Sequence, residues 1–283
     1  MLHPIVPIIT PMQHNSDIDY YSLIKLIKTY SKYNINNYLL FGIDAEVEKL
    51  DFNEKNNIIN TIYQANNNAN LILDISAQSI NEVLDNCLIA RTLNINHTMI
   101  SLADLISNNH YDGLAAVERI APVCKSIIVN IATSVYEQDF QLDVLRKIVA
   151  LPEVIAIADS FEDKQKYNFY ARNIAANVEY FIAINHNNID MHKMSSLYAL
   201  FPELFNINMA PSFYQKHKYL IETLNKNNHN IILKYCLAAR SKCHNYSRVP
   251  TPKWPAQMAL GIKRALSEIE SEIAKHNTVH EEA

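Results

Sequence analysis

Residues 154–163 read VIAIADSFED. Five apolar residues, Val154 to Ala158, run without a break into Asp159 and Ser160. This is the pattern of a β-strand covered on both faces that surfaces at its C-terminal end. In an α/β protein, chemistry gathers at that end of the strands. Yet Ala158, the last apolar residue of the run, carries no functional group at all.

Working outward, the same kind of run recurs at PIVPIIT (4–10), NYLLFGI (37–43), ANLILDI (69–75), HTMISLA (97–103), KSIIVNI (125–131), EYFIAIN (179–185) and ELFNINM (203–209). Amphipathic stretches lie between them. YYSLIKLIKTYSKY (20–33) sets Leu23, Ile24, Leu26 and Ile27 on one stripe, and INEVLDNCLIARTL (80–93) and LDVLRKIVALP (142–152) behave likewise. Eight strand–helix units predict an α/β fold of the (β/α)8 TIM-barrel type, and a doubly wound sheet is the runner-up. Helical patterns without strands follow at 213–226, 230–246 and 254–277, with Pro250, Pro252 and Pro255 ending one helix and starting the next. The expected organisation is a barrel over 1–220 and a C-terminal helical appendage over 221–283, with a frayed tail, TVHEEA.

Composition narrows the function. Net charge is −4 and the pI near 6.3, so the basic field of a nucleic-acid binder is missing. No apolar run reaches the ~18 residues of a membrane span. The N-terminus, MLHPIVPIITPM, has no basic region of the kind that opens a signal peptide, so the expected location is cytoplasmic. Cys87, Cys124, Cys236 and Cys243 form no CxxC pair and read as reduced thiols, with no metal site expected. Glycine occurs only 3 times where roughly 20 would be average, and Asn is abundant instead. Asn best tolerates left-handed backbone after Gly, so it is expected at helix ends and turns. No GxGxxG or P-loop is present, and no cofactor is called for.

Several segments, in order, resemble the dihydrodipicolinate synthase / N-acetylneuraminate lyase family. TPMQHNSDID (10–19) is similar to its opening TPF-x-x-DG-x-ID loop. FGIDAE (41–46) stands where the family keeps GTTGE, VNIATS (129–134) where it keeps YN-x-P-x-R, and VIAIADS where a strand ends in G-x-K-D-S. PTPKWPA (250–256) resembles its P-x-P-x-K segment. The resemblance covers essentially the whole chain. It implies a lyase barrel whose lysine amine forms a Schiff base with a 2-keto acid, an assembly of two or four copies, and a cytoplasmic location.

The same resemblance implies a dismantled site. The Schiff-base lysine falls on Ala158, the proton-relaying Tyr on Val129, the two carboxylate-binding Thr on Ile43 and Asp44, and the Arg of the pocket mouth on Ser134. The Tyr lent by a neighbouring subunit falls near Ile106, and the GDD after the seventh strand reads NHN (185–187). A carboxylate at Asp44 repels a keto acid by on the order of 4 kcal/mol at ~4 Å and an effective dielectric near 20. Lys49, Lys125, Lys164 and Lys166 are not expected to replace the lost amine: none ends a strand, and a deprotonable lysine needs desolvation.

The strand ends still offer Thr10, Asp44, Ser76, Asp104, Asn130, Asp159, Ser160, Asn185, His186 and Asn208. Three expectations follow. The first is a barrel without Schiff-base activity, kept for assembly, regulation or an unidentified ligand, as a homo-oligomer or beside an active relative. The second is a lyase with altered 2-keto-acid chemistry. The third is a different enzyme using Asp44, Asp159 and His186, in which an Asp44/Asp159 pair in one closed pocket would raise a carboxyl pKa. Against each stands the plainer possibility that strand-end polar groups bond loop backbone.

Overall fold

A computed structural model of the chain describes residues 4–42, 45–103, 105–106, 110–131, 140–159, 164–174, 177–182, 196–206, 212–224, 229–250 and 254–281. Within them the alternation of strand and helix holds. The strands are β1 (Ile5–Pro7), β2 (Asn37–Leu40), β3 (Asn70–Asp74), β4 (His97–Ser101), β5 (Ser126–Asn130), β6 (Val154–Asp159) and β7 (Glu179–Ile182). The helices between them are α1 (Tyr20–Lys32), α2 (Phe52–Ala65), α3 (Ile80–Thr92), α4 (His110–Ile120), α5 (Leu142–Val149) and α6 (Lys164–Asn173). After β7 come α7 (Ser196–Leu200), α8 (Ser212–Leu224), α9 (His229–Ala239) and α10 (Ala256–Glu281). Seven of the eight predicted strands thus stand where the apolar runs put them.

The chain forms two compact units. One holds residues 71–185 and the short pieces 1–3 and 190–194. In it β4 pairs with β3, β5 with β4, β6 with β5 and β7 with β6, all parallel. Parallel strands covered on both faces need continuous apolar residues. Ile100, Ile127, Ile128, Val129, Ile157 and Ala158 are accordingly without exposure. Helix α5 buries Val144, Leu145, Ile148 and Val149 and keeps Asp143, Arg146 and Lys147 outward.

The other unit holds 4–70, 186–189 and 195–283. Here β1 pairs with β2 in parallel, α1 packs on α2, and α8, α9 and α10 pack on one another. Side chains start the early helices. Asp19 accepts the Ser22 N–H at 3.0 Å, and Asp51 with Glu54 forms a reciprocal capping box on α2.

With so little glycine, helices end on asparagine. Asn34 after α1 and Asn94 after α3 take φ of 61° and 55°. The next residue of each turn returns its N–H to the helix, Ile35 to Tyr30 O at 3.1 Å and Ile95 to Ala90 O at 2.9 Å.

Three expectations need correction. The run at 203–209 does not begin as a strand: Pro202–Asn206 is a 3-10 turn, and 207–209 lie outside the described residues. No eighth strand is present among the described residues, so the α/β class stands while barrel closure is not seen. The helix expected over 230–246 stops at Ala239, because Ser241 turns left-handed at φ 55° and Lys242 returns its N–H to Leu237 O at 2.9 Å. The tail expected to fray is helical through Glu281.

A buried and a half-buried histidine of the first unit, His110 and His97, make its stability pH-dependent. His110 stacks on Phe140 at 4.5 Å, and its Nδ1 accepts the Gln141 N–H at 3.0 Å. His97 Nδ1 lies 2.6 Å from Ser126 Oγ. Burial lowers both histidines below their ordinary value. The unfolded chain therefore takes up protons first. This contribution is complete above about pH 6.5 and is lost as pH falls toward the lower folded-state values. Urea denaturation at pH 5.5 is expected to give a stability lower than at pH 7.5, by at most about 1.4 kcal/mol per histidine. A His97→Asn/His110→Gln variant should flatten that slope.

Candidate functional site

Strand parity decides what the end of β6 can do. Successive strand side chains face opposite sides of the sheet. Asp159 is fully buried, and its Oδ2 accepts the Tyr180 hydroxyl at 2.7 Å. Tyr180 stacks on Tyr170 of α6, ring centroids 6.2 Å apart. The Asp159 carboxylate is therefore turned toward the helix layer and committed to a structural bond. Ala158 faces the other way. Its neighbours in register are Asn130 on β5 and Phe181 on β7. That row, Asn130–Ala158–Phe181, offers one amide, a methyl and a phenyl ring. It contains no amine, thiol or carboxylate.

Three other positions singled out from the sequence lie in the same unit: Val129, Ile106 and Ser76. Val129 is buried in register with Ile157, which pairs with Tyr180, so it shares the row of Tyr180 rather than that of Ala158. Ile106 turns back onto α4 of its own chain. A Cβ placed on Gly113 would sit 2.9 Å from Ile106 Cδ1 and 3.0 Å from Leu102 Cδ1. Glycine at 113 thus permits a close approach, and Ile106, 9% exposed, fills it. Ser76 is used locally: its hydroxyl donates to Asp74 Oδ1 at 2.5 Å and accepts the Ser101 N–H at 2.8 Å. Ile43, Asp44, Asp104, Ser134, Ser160, Asn185, His186 and Asn208 lie outside the described residues. Of the Asp44/Asp159 pair, Asp44 lies outside the described residues and Asp159 faces α6. Among the described residues no cluster of three or more His, Cys, Asp or Glu is placed to hold a metal ion.

In the second unit the end of β1 and the turn after β2 form a different centre. Thr10 Oγ1 donates to Ala45 O at 2.7 Å. The next residue, Glu46, is left-handed at φ 53°. Its buried carboxylate pairs with Lys234 of α9, which is 1% exposed. Glu46 Oε2 also accepts the Arg248 N–H at 2.9 Å and the Val249 N–H at 3.3 Å, and Lys234 donates to Tyr246 O at 3.3 Å. Burial alone would raise the Glu46 carboxyl, but Lys234 and the hydrogen bonds outweigh it and hold it below its ordinary value. Burial pulls the Lys234 amine down, against the attraction of Glu46. Beside this pair Arg248 clamps Glu54 bidentately at 2.8 and 2.5 Å and donates to Ser16 O and Lys49 O.

The sequence reading passed over Lys234, although a signal was there. It interrupts the apolar run IILKYCL (231–237), and a cation in a helix that is apolar all round must be buried with a partner. The partner, 188 residues away, is invisible in a string.

No protein-family model and no curated protein matches this sequence. Solved structures do. The dihydrodipicolinate synthase of Aquifex aeolicus aligns with 14% identity, covering 95% of this chain and 98% of that one, at a TM-score of 0.80. The 4-hydroxy-tetrahydrodipicolinate synthase of Methylacidiphilum fumariolicum aligns at 15% identity over 98% and 99%, TM-score 0.83. The chloride-inhibited enzyme of Acinetobacter baumannii, solved with pyruvate, aligns at 17% over 94% and 98%, TM-score 0.82. The chain has the fold of the dihydrodipicolinate synthases. At this identity the likeness speaks for fold, not for activity.

The Glu46–Lys234 pair predicts a measurable asymmetry. Lys234→Met leaves a carboxylate buried without its cation and should cost about 3–5 kcal/mol in urea denaturation. The double variant Glu46→Gln/Lys234→Met should recover part of that loss.

Proposed function

We propose that this chain is a member of the dihydrodipicolinate synthase / N-acetylneuraminate lyase family that does not form a Schiff base. In this reading residues 1–220 close as a (β/α)8 barrel, 221–283 form the helical appendage, and the molecule serves in assembly, regulation or binding of another ligand. The observation that carries it is Ala158, buried at the end of β6 between Asn130 and Phe181. Schiff-base chemistry needs an amine at the strand end. The fold supports the family; the missing amine supports the loss.

The reading with altered keto-acid chemistry needs another lysine. Lys234 is the buried candidate, but its ammonium is engaged by Glu46 and by Tyr246 O. The repurposed-carboxylate reading loses Asp159, which is held by Tyr180. We further propose that the chain assembles as a dimer or tetramer, or with an active relative. One solved neighbour at TM-score 0.79 is described as a monomeric dihydrodipicolinate synthase variant, so the fold does not require assembly.

The test is reductive trapping. Protein incubated with excess pyruvate and sodium borohydride is expected to keep its intact mass. An adduct mapped to Lys234 would restore the keto-acid reading; one on any other lysine would locate a nucleophile elsewhere. A158K returns an amine to the strand end alone. It is expected to give no aldol turnover, since Val129 and Ser134 stand where the family has its Tyr and Arg; turnover in that variant would sink the proposal that the pocket has been dismantled.

A further inference from the structure

The start of α1 and the turn after α9 enclose a cleft of about 730 Å³ that belongs to neither the Ala158 row nor the Glu46–Lys234 pair. Its wall carries Lys25, Lys242, His14, His244 and Tyr246, and among the described residues Asp19 is the only acid lining it. Along α1 it continues into a groove lined by Lys25, Lys28, Lys32 and Lys242, with Glu203 as the only acid among the described residues there. In a chain of net charge −4, this is a local reversal of sign.

Both acids are already engaged. Asp19, 6% exposed, accepts the Ser22 N–H at 3.0 Å and the Ser22 hydroxyl at 2.6 Å as the cap of α1. Glu203 is paired with Arg240 at 3.4 Å. The cations are less well matched. Lys25 gives one of its three ammonium protons to Ser241 O at 3.1 Å. Lys242 is half-buried; burial lowers its proton affinity, and Arg240 and Lys25 add like-charge repulsion that Glu203 and Glu270 oppose. An anion between Lys25 and Lys242 would relieve that crowding. His14 and His244 flank the Tyr246 ring, centroids 5.3 and 5.7 Å away, and add further donors. The turn itself is held in shape: Ser241 is left-handed, and Tyr246 bridges to Met12.

We propose that this cleft binds a small phosphorylated molecule, held between Lys25 and Lys242. The donor set favours phosphate over carboxylate. Among the described residues no arginine lines the cleft, and the planar fork that matches a carboxylate is arginine's. Lysine ammoniums are compact point charges suited to a tetrahedral oxyanion. The volume fits a small metabolite rather than a polymer.

Calorimetric titration of the full chain with inorganic pyrophosphate, at constant ionic strength set with NaCl, tests this. One saturable site is expected, with a dissociation constant below about 1 mM. K25Q/K242Q should weaken it at least about tenfold, whereas K218Q, on α8, should leave it unchanged. No saturation, or equal binding by K25Q/K242Q, overturns the proposal. Should that variant fail to fold, amide exchange on the unaltered chain decides. Pyrophosphate should protect Gln13–Ser22 and Ser241–Tyr246; protection confined to other segments overturns it. A lipid headgroup is the other source of such a group. Co-sedimentation with phosphatidylserine-containing vesicles, not competed by pyrophosphate, would likewise reject a soluble ligand.

Discussion

An ammonium and a carboxylate, both out of water, hold the C-terminal segment to the start of the fold. Taking either ion from water costs several kcal/mol, and their mutual attraction offsets this only when further hydrogen bonds satisfy both groups. The Glu46–Lys234 pair meets that condition. Glu46 collects the backbone N–H groups of Arg248 and Val249, and Lys234 reaches Tyr246 O. Residues 246–249 are thereby fixed against the turn after β2, and Arg248 extends the attachment to Glu54 at the first turn of α2. The pair also accounts for a glutamate in left-handed backbone, which costs an L-residue on the order of 1–2 kcal/mol. A glycine there would remove the strain and with it the carboxylate on which Lys234 and the Arg248 and Val249 N–H groups converge.

At the end of β6, structure and chemistry separate along the two faces of one strand. Asp159 binds Tyr180 under α6 and serves the fold. Ala158 faces the opposite side, in the row of Asn130 and Phe181. The strand can keep its register with β5 and β7 whichever residue stands at 158, because the ladder is made by backbone. The sheet can therefore keep its shape whatever chemistry the side chain at 158 offers.

Much of the fold was legible because its signals are local. Continuous apolar runs located β1 to β7, whereas the equally local caps of α1, α2 and α3 at Asp19, Asp51 and Ser79 emerged only with the structure. The scarcity of glycine rightly pointed to asparagine at helix ends, as Asn34 and Asn94 show. The errors came where periodicity alone was used. ELFN has the composition of a strand but turns as a 3-10 segment. The 230–246 pattern continues past Ala239, while a left-handed Ser241 reverses the chain so that Tyr246 can meet Met12. Of the candidate site, the bare Ala158 was readable, whereas the direction of Asp159 was not: which face a strand residue uses depends on what is stacked against it.

By itself, the sequence determined the order of β1 to β7 and the helices between them, the asparagines at helix ends, and the absence of a lysine at position 158. These follow from side-chain chemistry acting within a few residues. Only the tertiary structure decided that Asp159 serves Tyr180, that Ile106 fills the space over Gly113, and that Lys234 finds Glu46. It also gathered Lys25 and Lys242 about one cleft. All but the Ile106–Gly113 contact join residues far apart in sequence, and the energy of a buried charge or a packed methyl depends on neighbours that only the folded chain supplies.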